Sequence, residues 1–352
     1  MRLLVLWSKP SGYLLSELKS LHELGIEINL IAQRNENEAP FEFQTEFSYL
    51  KTFKLLNHFE RKSLSRMVHD INPDVLLICS WNNKTYLRIA RKFSGIRILF
   101  MDNQWHRTLK QICGVILQYF IIKQHFDGVL LPGARQEKFA KLLGFKSFQI
   151  AKMGYSADVN KFLSCKPSAE SRKFLYIGRL VQEKGIELLL NGYASYREMV
   201  EDPWELRIIG NGKFREWIIA KNVRGVRISE FIQPPLLPSE YSAAGCFVLA
   251  STFEPWGLVL HEAAACGLPI ICSDACGASD DFVEQGVNGF VFKSGIVAEL
   301  STAMVRIHNV SISDWNVMSE QSRRKARRIT PEIWARSLVN LVIEIQNRRV
   351  LK

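Results

Sequence analysis

Short apolar runs alternate with amphipathic stretches along most of the chain. Residues 3–7, 27–31, 74–79, 97–101 and 128–131 are runs dominated by Leu, Ile and Val. Runs of this length read as strands buried on both faces. Between the first two, residues 13–24 carry apolar positions at helical spacing. A polar stretch, residues 164–172, interrupts the series and reads as a linker. A second series follows, with strands at 173–177, 206–209, 226–232 and 246–250. This alternation predicts parallel sheets with helices on both faces.

The most informative stretch is 246–269. Its apolar start reads as a strand, Glu254-Pro-Trp-Gly257 as a turn, and residues 258–266 as a helix stopped by Gly267 and Pro269. Glu254 then stands on a strand-to-helix loop. Gly257 and Leu258 present free N–H groups at the helix start, a ready site for an anion such as phosphate. Glu262 lies about one turn inside the helix, on the side able to face the same crevice. Two carboxylates beside an anion site suit a ligand with both phosphates and hydroxyls. A nucleotide-sugar fits. Carboxylates also favour helix starts for electrostatic reasons alone, and for an isolated pair of Glu that plainer reading leads.

The text around the pair changes this balance. From Lys173 to Phe292 it resembles the donor-binding half of the retaining family 4 glycosyltransferases, whose motif is a Glu, seven residues and a second Glu; Glu254 and Glu262 have that spacing. The resemblance fades in the first half. It implies an α/β fold of GT-B type, two doubly wound Rossmann-like domains facing a central cleft. Residues 1–163, with a crossing helix at 330–352, would form the N-terminal acceptor side. Residues 164–329 would bind the donor.

Roles follow from the same resemblance. Arg179 and Lys184 would neutralise the donor diphosphate, a task that suits a forked guanidinium and a mobile ammonium. Gly210 matches the second-domain Gly-x-Gly. Ile232 falls where backbone groups meet the base, with Glu230 near the place of the usual Gly. Glu254 would hold donor-sugar hydroxyls and Glu262 the ribose, with Trp256, Gly257 and Leu258 completing the donor site. Asp280 or Asp281 stands where the family carries a Glu. In the first half, Gly12 closes a strand-to-helix turn of the kind that binds ligands in such folds. Asp102 and His106 follow a predicted strand and are rivals for the reaction centre; the plainer reading is that they cap the next helix.

Composition narrows the partners. The 352 residues carry a net charge of +11, which points to nucleotides, nucleic acid or an anionic membrane surface. Seven Cys without a regular framework suit a reducing compartment. The opening residues read as a strand, not a secretory signal. No uncharged run reaches the roughly 18 residues of a spanning helix. The expected location is therefore the cytoplasm, with peripheral contact at the inner membrane face. Residues 109–126 are unusually apolar and read first as a core helix. The sharper reading is a patch for a lipid-linked acceptor or membrane surface, helped by the basic stretch 51–66. Residues 322–328 form a basic helical run without the aromatic platform of a nucleic-acid site. His261, Cys266, Cys272 and Cys276 match no zinc spacing, and no Asp-x-Asp occurs.

Together these readings predict a retaining glycosyltransferase. It would move a hexose-type sugar from a UDP- or GDP-linked donor to a hydroxyl of a glycan or lipid-linked saccharide. No metal, no other cofactor and no specific nucleic acid are expected. A nucleotide-sugar 2-epimerase and a non-enzymatic nucleotide-sugar sensor are the alternatives.

Overall fold

The computed structural model describes residues 1–8, 12–33, 47–56, 61–153 and 155–351. Lys9, Pro10 and Ser11 of the first turn, Gly154, and residues 57–60 of the basic stretch lie outside them. So do the side chains of Arg61, Lys62, Lys110, Gln118, Phe120 and Ile121.

Contacts divide the chain into two units, Met1–Ser156 with Pro331–Lys352, and Ala157–Thr330. The first unit contains strands β1 (Arg2–Trp7), β2 (Glu27–Gln33), β3 (Leu50–Leu56), β4 (Val75–Ile78), β5 (Ile96–Phe100), β6 (Gly128–Leu130) and β7 (Ile150–Ala151). Its helices are α1 (Gly12–Glu23), α2 (Arg61–Ile71), α3 (Lys84–Lys92), α4 (Leu109–His125) and α5 (Ala134–Leu142). The second unit contains β8 (Lys173–Ile177), β9 (Glu205–Ile209), β10 (Val226–Ser229), β11 (Cys246–Leu249), β12 (Ile270–Ser273) and β13 (Gly289–Phe292). Its helices are α6 (Val159–Phe162), α7 (Ile186–Glu198), α8 (Arg215–Lys221), α9 (Leu237–Ser242), α10 (Leu258–Cys266), α11 (Ser279–Phe282), α12 (Val297–His308) and α13 (Ile312–Ala326). The last helix, α14 (Pro331–Val350), returns to the first unit. Residues 157–163, which precede the polar linker, pack with the second unit.

Each unit has one parallel sheet. The orders are β3-β2-β1-β4-β5-β6-β7 and β10-β9-β8-β11-β12-β13. Parallel strands are joined by crossovers that lay helices on both faces, so inner strands such as β1, β4 and β11 are apolar on both faces. In the first unit α1 and α14 cover one face through Leu14, Leu18, Trp334 and Leu338. Helices α2 to α5 cover the other through Leu64, Tyr86, Ile122 and Phe139.

Three elements differ from the sequence reading. β3 escaped it because Lys51 and Lys54 interrupt its apolar run, which a sheet edge tolerates. β10 stops at Ser229, leaving Ile232 in the loop beyond. Helix α4 is not a core helix throughout. Val115 and Ile122 reach the core, while Leu109 and Leu117 are 81% and 68% exposed and Ile112 and Ile116 also face solvent. The basic run near 325 is only partly solvated. Arg323 donates to the carbonyls of Ala265 and Cys165, and Lys325 pairs with Glu284 at 2.9 Å.

Candidate functional site

Both sheets begin at a central strand, wind outward one way, then return and wind the other way. The loops after the two central strands therefore diverge at the carboxyl edge and leave a crevice. In the second unit those strands are β8 and β11, and the crevice loops are 178–185 and 250–257.

The two loops are stitched together. Thr252 and Phe253 donate their N–H groups to the Glu183 carbonyl at 2.9 and 3.2 Å. Gly185 has φ +64°, and a Cβ there would lie 2.0 Å from the Ala250 carbonyl oxygen, so only glycine permits this approach. The side chains meet in the same place. Lys184 Nζ donates to Glu254 Oε2, with the two side chains 15% and 10% exposed. Ser251 Oγ donates to the same oxygen at 3.4 Å. The loop after β9 joins them, since a Cβ on Gly210 would lie 1.9 Å from the Gly178 carbonyl oxygen.

The far side of the turn is pinned as well. Gly277 N–H donates to the Glu254 carbonyl at 3.0 Å and Ala278 N–H to the Trp256 carbonyl at 2.8 Å. Gly257 is the N-cap of α10 and gives the first turn no side-chain cap hydrogen bond. Trp256 is buried edge-on to Phe282, and its indole N–H has no partner among the described residues. Arg179 is half exposed, with Glu183 only at 3.5 Å, so its guanidinium is available to a ligand.

Glu262, one turn into α10, is 1% exposed and accepts from Tyr241 Oη of α9 at 2.6 Å. Tyr241 and Ser251 are the polar neighbours that sequence reasoning missed: Tyr241 lies on a separate helix from Glu262, and Ser251 meets Glu254 across a loop that has no regular period. Ile232 stands half-buried in the loop after β10, and Asp280 is exposed at the start of α11.

The first unit offers a different set. Gly12 opens α1 on the exposed side of its turn. Asp102, just past β5, acts electrostatically on Tyr155. Burial holds that phenol well above its ordinary pKa, and the charges of Asp102, Cys79 and Glu17 add to the rise. His106 sits on the exposed coil before α4, its N–H bonded to Gln111 Oε1 at 2.7 Å. The structure thus gathers Asp102, not His106, at the carboxyl edge of the sheet. His261, Cys266, Cys272 and Cys276 are all buried, and no group of His, Cys, Asp or Glu among the described residues is arranged to hold a metal. No described helix is long and apolar enough to cross a membrane.

Comparison with known proteins meets this geometry in the second unit. The family described as "Glycosyl transferases group 1" matches residues 164–325. The match covers a little under half of the chain. The matched segment spans all six strands of the second sheet and both crevice loops. Among curated relatives, a glycogen synthase of Mycobacterium tuberculosis is 27% identical over 61% of this chain and 52% of its own length. The chain thus spans about half of that relative. The lipopolysaccharide 1,6-galactosyltransferase of Escherichia coli K12 is 28% identical over 69% of this chain and 67% of its own length. Among solved structures, the sucrose-phosphate synthase of Thermosynechococcus elongatus superposes with a TM-score of 0.77 at 17% identity, covering 99% of this chain and all of its own. HepE of Anabaena, solved with UDP, gives 0.73 at 18% identity over 96% of this chain and 98% of its own. The two units therefore have the GT-B fold, each doubly wound.

Proposed function

We propose that the protein is a retaining glycosyltransferase that takes a hexose-type sugar from a UDP- or GDP-linked donor and places it on a hydroxyl of a glycan or lipid-linked saccharide. The observation that carries this reading is the Lys184–Glu254 pair, which closes the crevice between the loops after β8 and β11. An ammonium has three donors. Lys184 can keep Glu254 and still give a hydrogen bond to a phosphate. Arg179 supplies the second cation, and the uncapped start of α10 at Gly257 and Leu258 supplies N–H donors. Glu254, held by Lys184 and Ser251, keeps acceptor capacity for sugar hydroxyls. These groups do the charge work that a divalent ion does elsewhere, so transfer needs no metal.

Glu262 meets the ribose through the α10–α9 corner, sharing its carboxylate with Tyr241. Asp102 is the first unit's group for the acceptor side. The epimerase and sensor readings gain no support from the relatives named above, which are synthases and transferases.

The test is incubation with UDP-, GDP- and ADP-sugars, with and without candidate acceptors, in EDTA. Free nucleotide released only with an acceptor is the expected result. Release without an acceptor, epimerised donor, or complete loss of transfer restored by Mg²⁺ would overturn the corresponding part. Glu254→Gln is expected to lower kcat strongly with modest loss of donor affinity, and Glu262→Gln to raise donor KM more than it lowers kcat.

The first unit is also proposed to rest on an anionic membrane surface. The exposed apolar face of α4 lies beside α3, whose charged residues are Lys84, Arg88, Arg91 and Lys92, all basic and all exposed. Apolar area and positive charge together are what reversible membrane binding requires. The Lys51 and Lys54 strand lies at the far edge of the sheet, so the cations of α3 are the nearer partners. Flotation with anionic vesicles at low salt is expected. Leu117→Glu should abolish it, and a protein that does not float with any vesicle would sink the idea.

A further inference from the structure

His261 precedes Glu262 in α10 and is fully buried. Its Nδ1 lies 3.0 Å from the Ala157 N–H donor, and its Nε2 lies 3.0 Å from the Ala326 carbonyl oxygen. A neutral imidazole has one accepting and one donating nitrogen. With Nδ1 accepting a peptide N–H, Nε2 must carry the proton and donate to Ala326. Burial lowers the ring's pKa from 6.5 to about 4, so it stays neutral and the tautomer is fixed. The ring also stacks on Phe282, with centroids 4.3 Å apart and planes 16° apart.

The two backbone partners have a common place in the chain. Ala157 is the first residue of the second unit after the chain leaves the first. Ala326 ends α13, just before the chain leaves again at Thr330. The segment at 157 is coil, so its peptide N–H has no helix or strand to satisfy it. On the other side of the first crossing, Glu17 accepts the Ser156 N–H at 2.8 Å. Two consecutive peptide N–H groups are thus held by buried side chains of two helices, α1 in the first unit and α10 in the second. The neighbours of His261 in α10 are Leu260, Ala263, Ala264 and Ala265, all fully buried. An apolar residue would fill such a helix face at no desolvation cost, and the imidazole's two hydrogen bonds account for its presence.

We propose that His261 is a positioning residue that ties both crossing segments to the helix behind the donor loop, so that the crossings and α10 move as one piece. A change at either crossing is then felt one residue from Glu262 and one turn from Gly257. The catalytic consequence rests on the transferase reading, whereas the tie itself does not.

The experiment uses the full chain and two variants. In His261→Asn the amide oxygen sits near the place of Nδ1 and still accepts from Ala157. In His261→Gln the amide reaches the place of Nε2 and no longer accepts from the Ala157 N–H. Hydrogen exchange without ligand is expected to be at least about tenfold faster at Ala157 in the Gln variant and near wild type there in the Asn variant. With the donor identified from the sugar panel, the Gln variant should lose at least about fivefold in kcat with donor KM within about twofold, and Asn should restore most of the loss. Unchanged exchange at Ala157 in His261→Gln overturns the tie. Faster exchange with wild-type kcat and KM makes it structural only and overturns the positioning role, as does a raised KM at constant kcat. A wild-type protein that transfers no sugar would refute the transferase reading, and the exchange arm would still decide the tie.

Discussion

In the first unit the loops after the two central strands meet through a thiol: the Ser8 N–H points at Cys79 Sγ from 3.0 Å. In the second the corresponding loops meet through an ammonium and a carboxylate, Lys184 and Glu254. The winding of the two sheets is the same. Burial pushes the Cys79 thiol up, so this contact carries no charge at neutral pH. The contact in the second unit concentrates charge in a half-dry crevice, beside a half-exposed guanidinium and an uncapped helix start. Topology makes a crevice in both units, and among the described residues the buried charged pair stands in the second.

The contrast can be broken most directly at the pair itself. Lys184→Ala leaves Glu254 buried without its cation, and removing one member of a buried pair costs about 3–5 kcal/mol. Cys79→Ala removes a weak thiol contact and should cost well under half of that. Calorimetric melting of the two variants gives the comparison, and equal losses would erase the difference drawn between the units.

Acid should act on the two units with opposite sign. His261 has its pKa lowered from 6.5 to about 4 by burial, so its contribution is complete above 6.5 and is lost as pH falls toward 4. That loss amounts to about 3 kcal/mol. Glu17, in the first unit, is raised well above 4.5 by burial, against the bond from Ser156. Its contribution is complete below 4.5 and is lost as pH rises. Lowering the pH from 7 to 5 should therefore weaken the second unit and strengthen the first. Melting temperatures of His261→Gln and Glu17→Gln against pH test this, each variant flattening one slope. Slopes of the same sign would contradict it.

Arg179→Ala sharpens the contrast on the ligand side. It should weaken nucleoside-diphosphate binding by about 1.5–3 kcal/mol and leave the melting temperature nearly unchanged, because its contact with Glu183 is exposed. Titration calorimetry reads the affinity, and an unchanged value would remove Arg179 from the site. The smallest effect is expected from Glu17→Gln at about pH 4, where burial keeps the carboxyl neutral in the folded protein and the unfolded chain is largely protonated too. The amide keeps an acceptor for the Ser156 N–H, so the change in stability should stay under about 1 kcal/mol.

Much of this architecture is legible in the sequence. Strands such as β1 and β11 announce themselves as apolar runs, and the limits of α10 follow from Gly257 and Gly267. The elements that escape are those whose surroundings override their pattern. β3 carries Lys51 and Lys54 because a sheet edge can leave them in water. Helix α4 looks like a core helix because apolar pattern alone does not tell packing from exposure. At the site, the crevice loops and Arg179 are visible in the text. The pairing of Lys184 with Glu254, the capture of Glu262 by Tyr241 and the two bonds of His261 are not, because each joins residues far apart in sequence or from separate loops.

Helix α14 carries a consequence for the order of events during synthesis. Trp334, Leu338 and Leu341 fill the face of the first sheet that α1 covers only in part. They leave the ribosome after every residue of the second unit. The second unit, continuous from Ala157 to Thr330, can close while the chain is still growing. The first must wait, with one apolar face of its sheet only partly covered by α1, until its own last helix arrives. The unit translated first is thus the unit completed last.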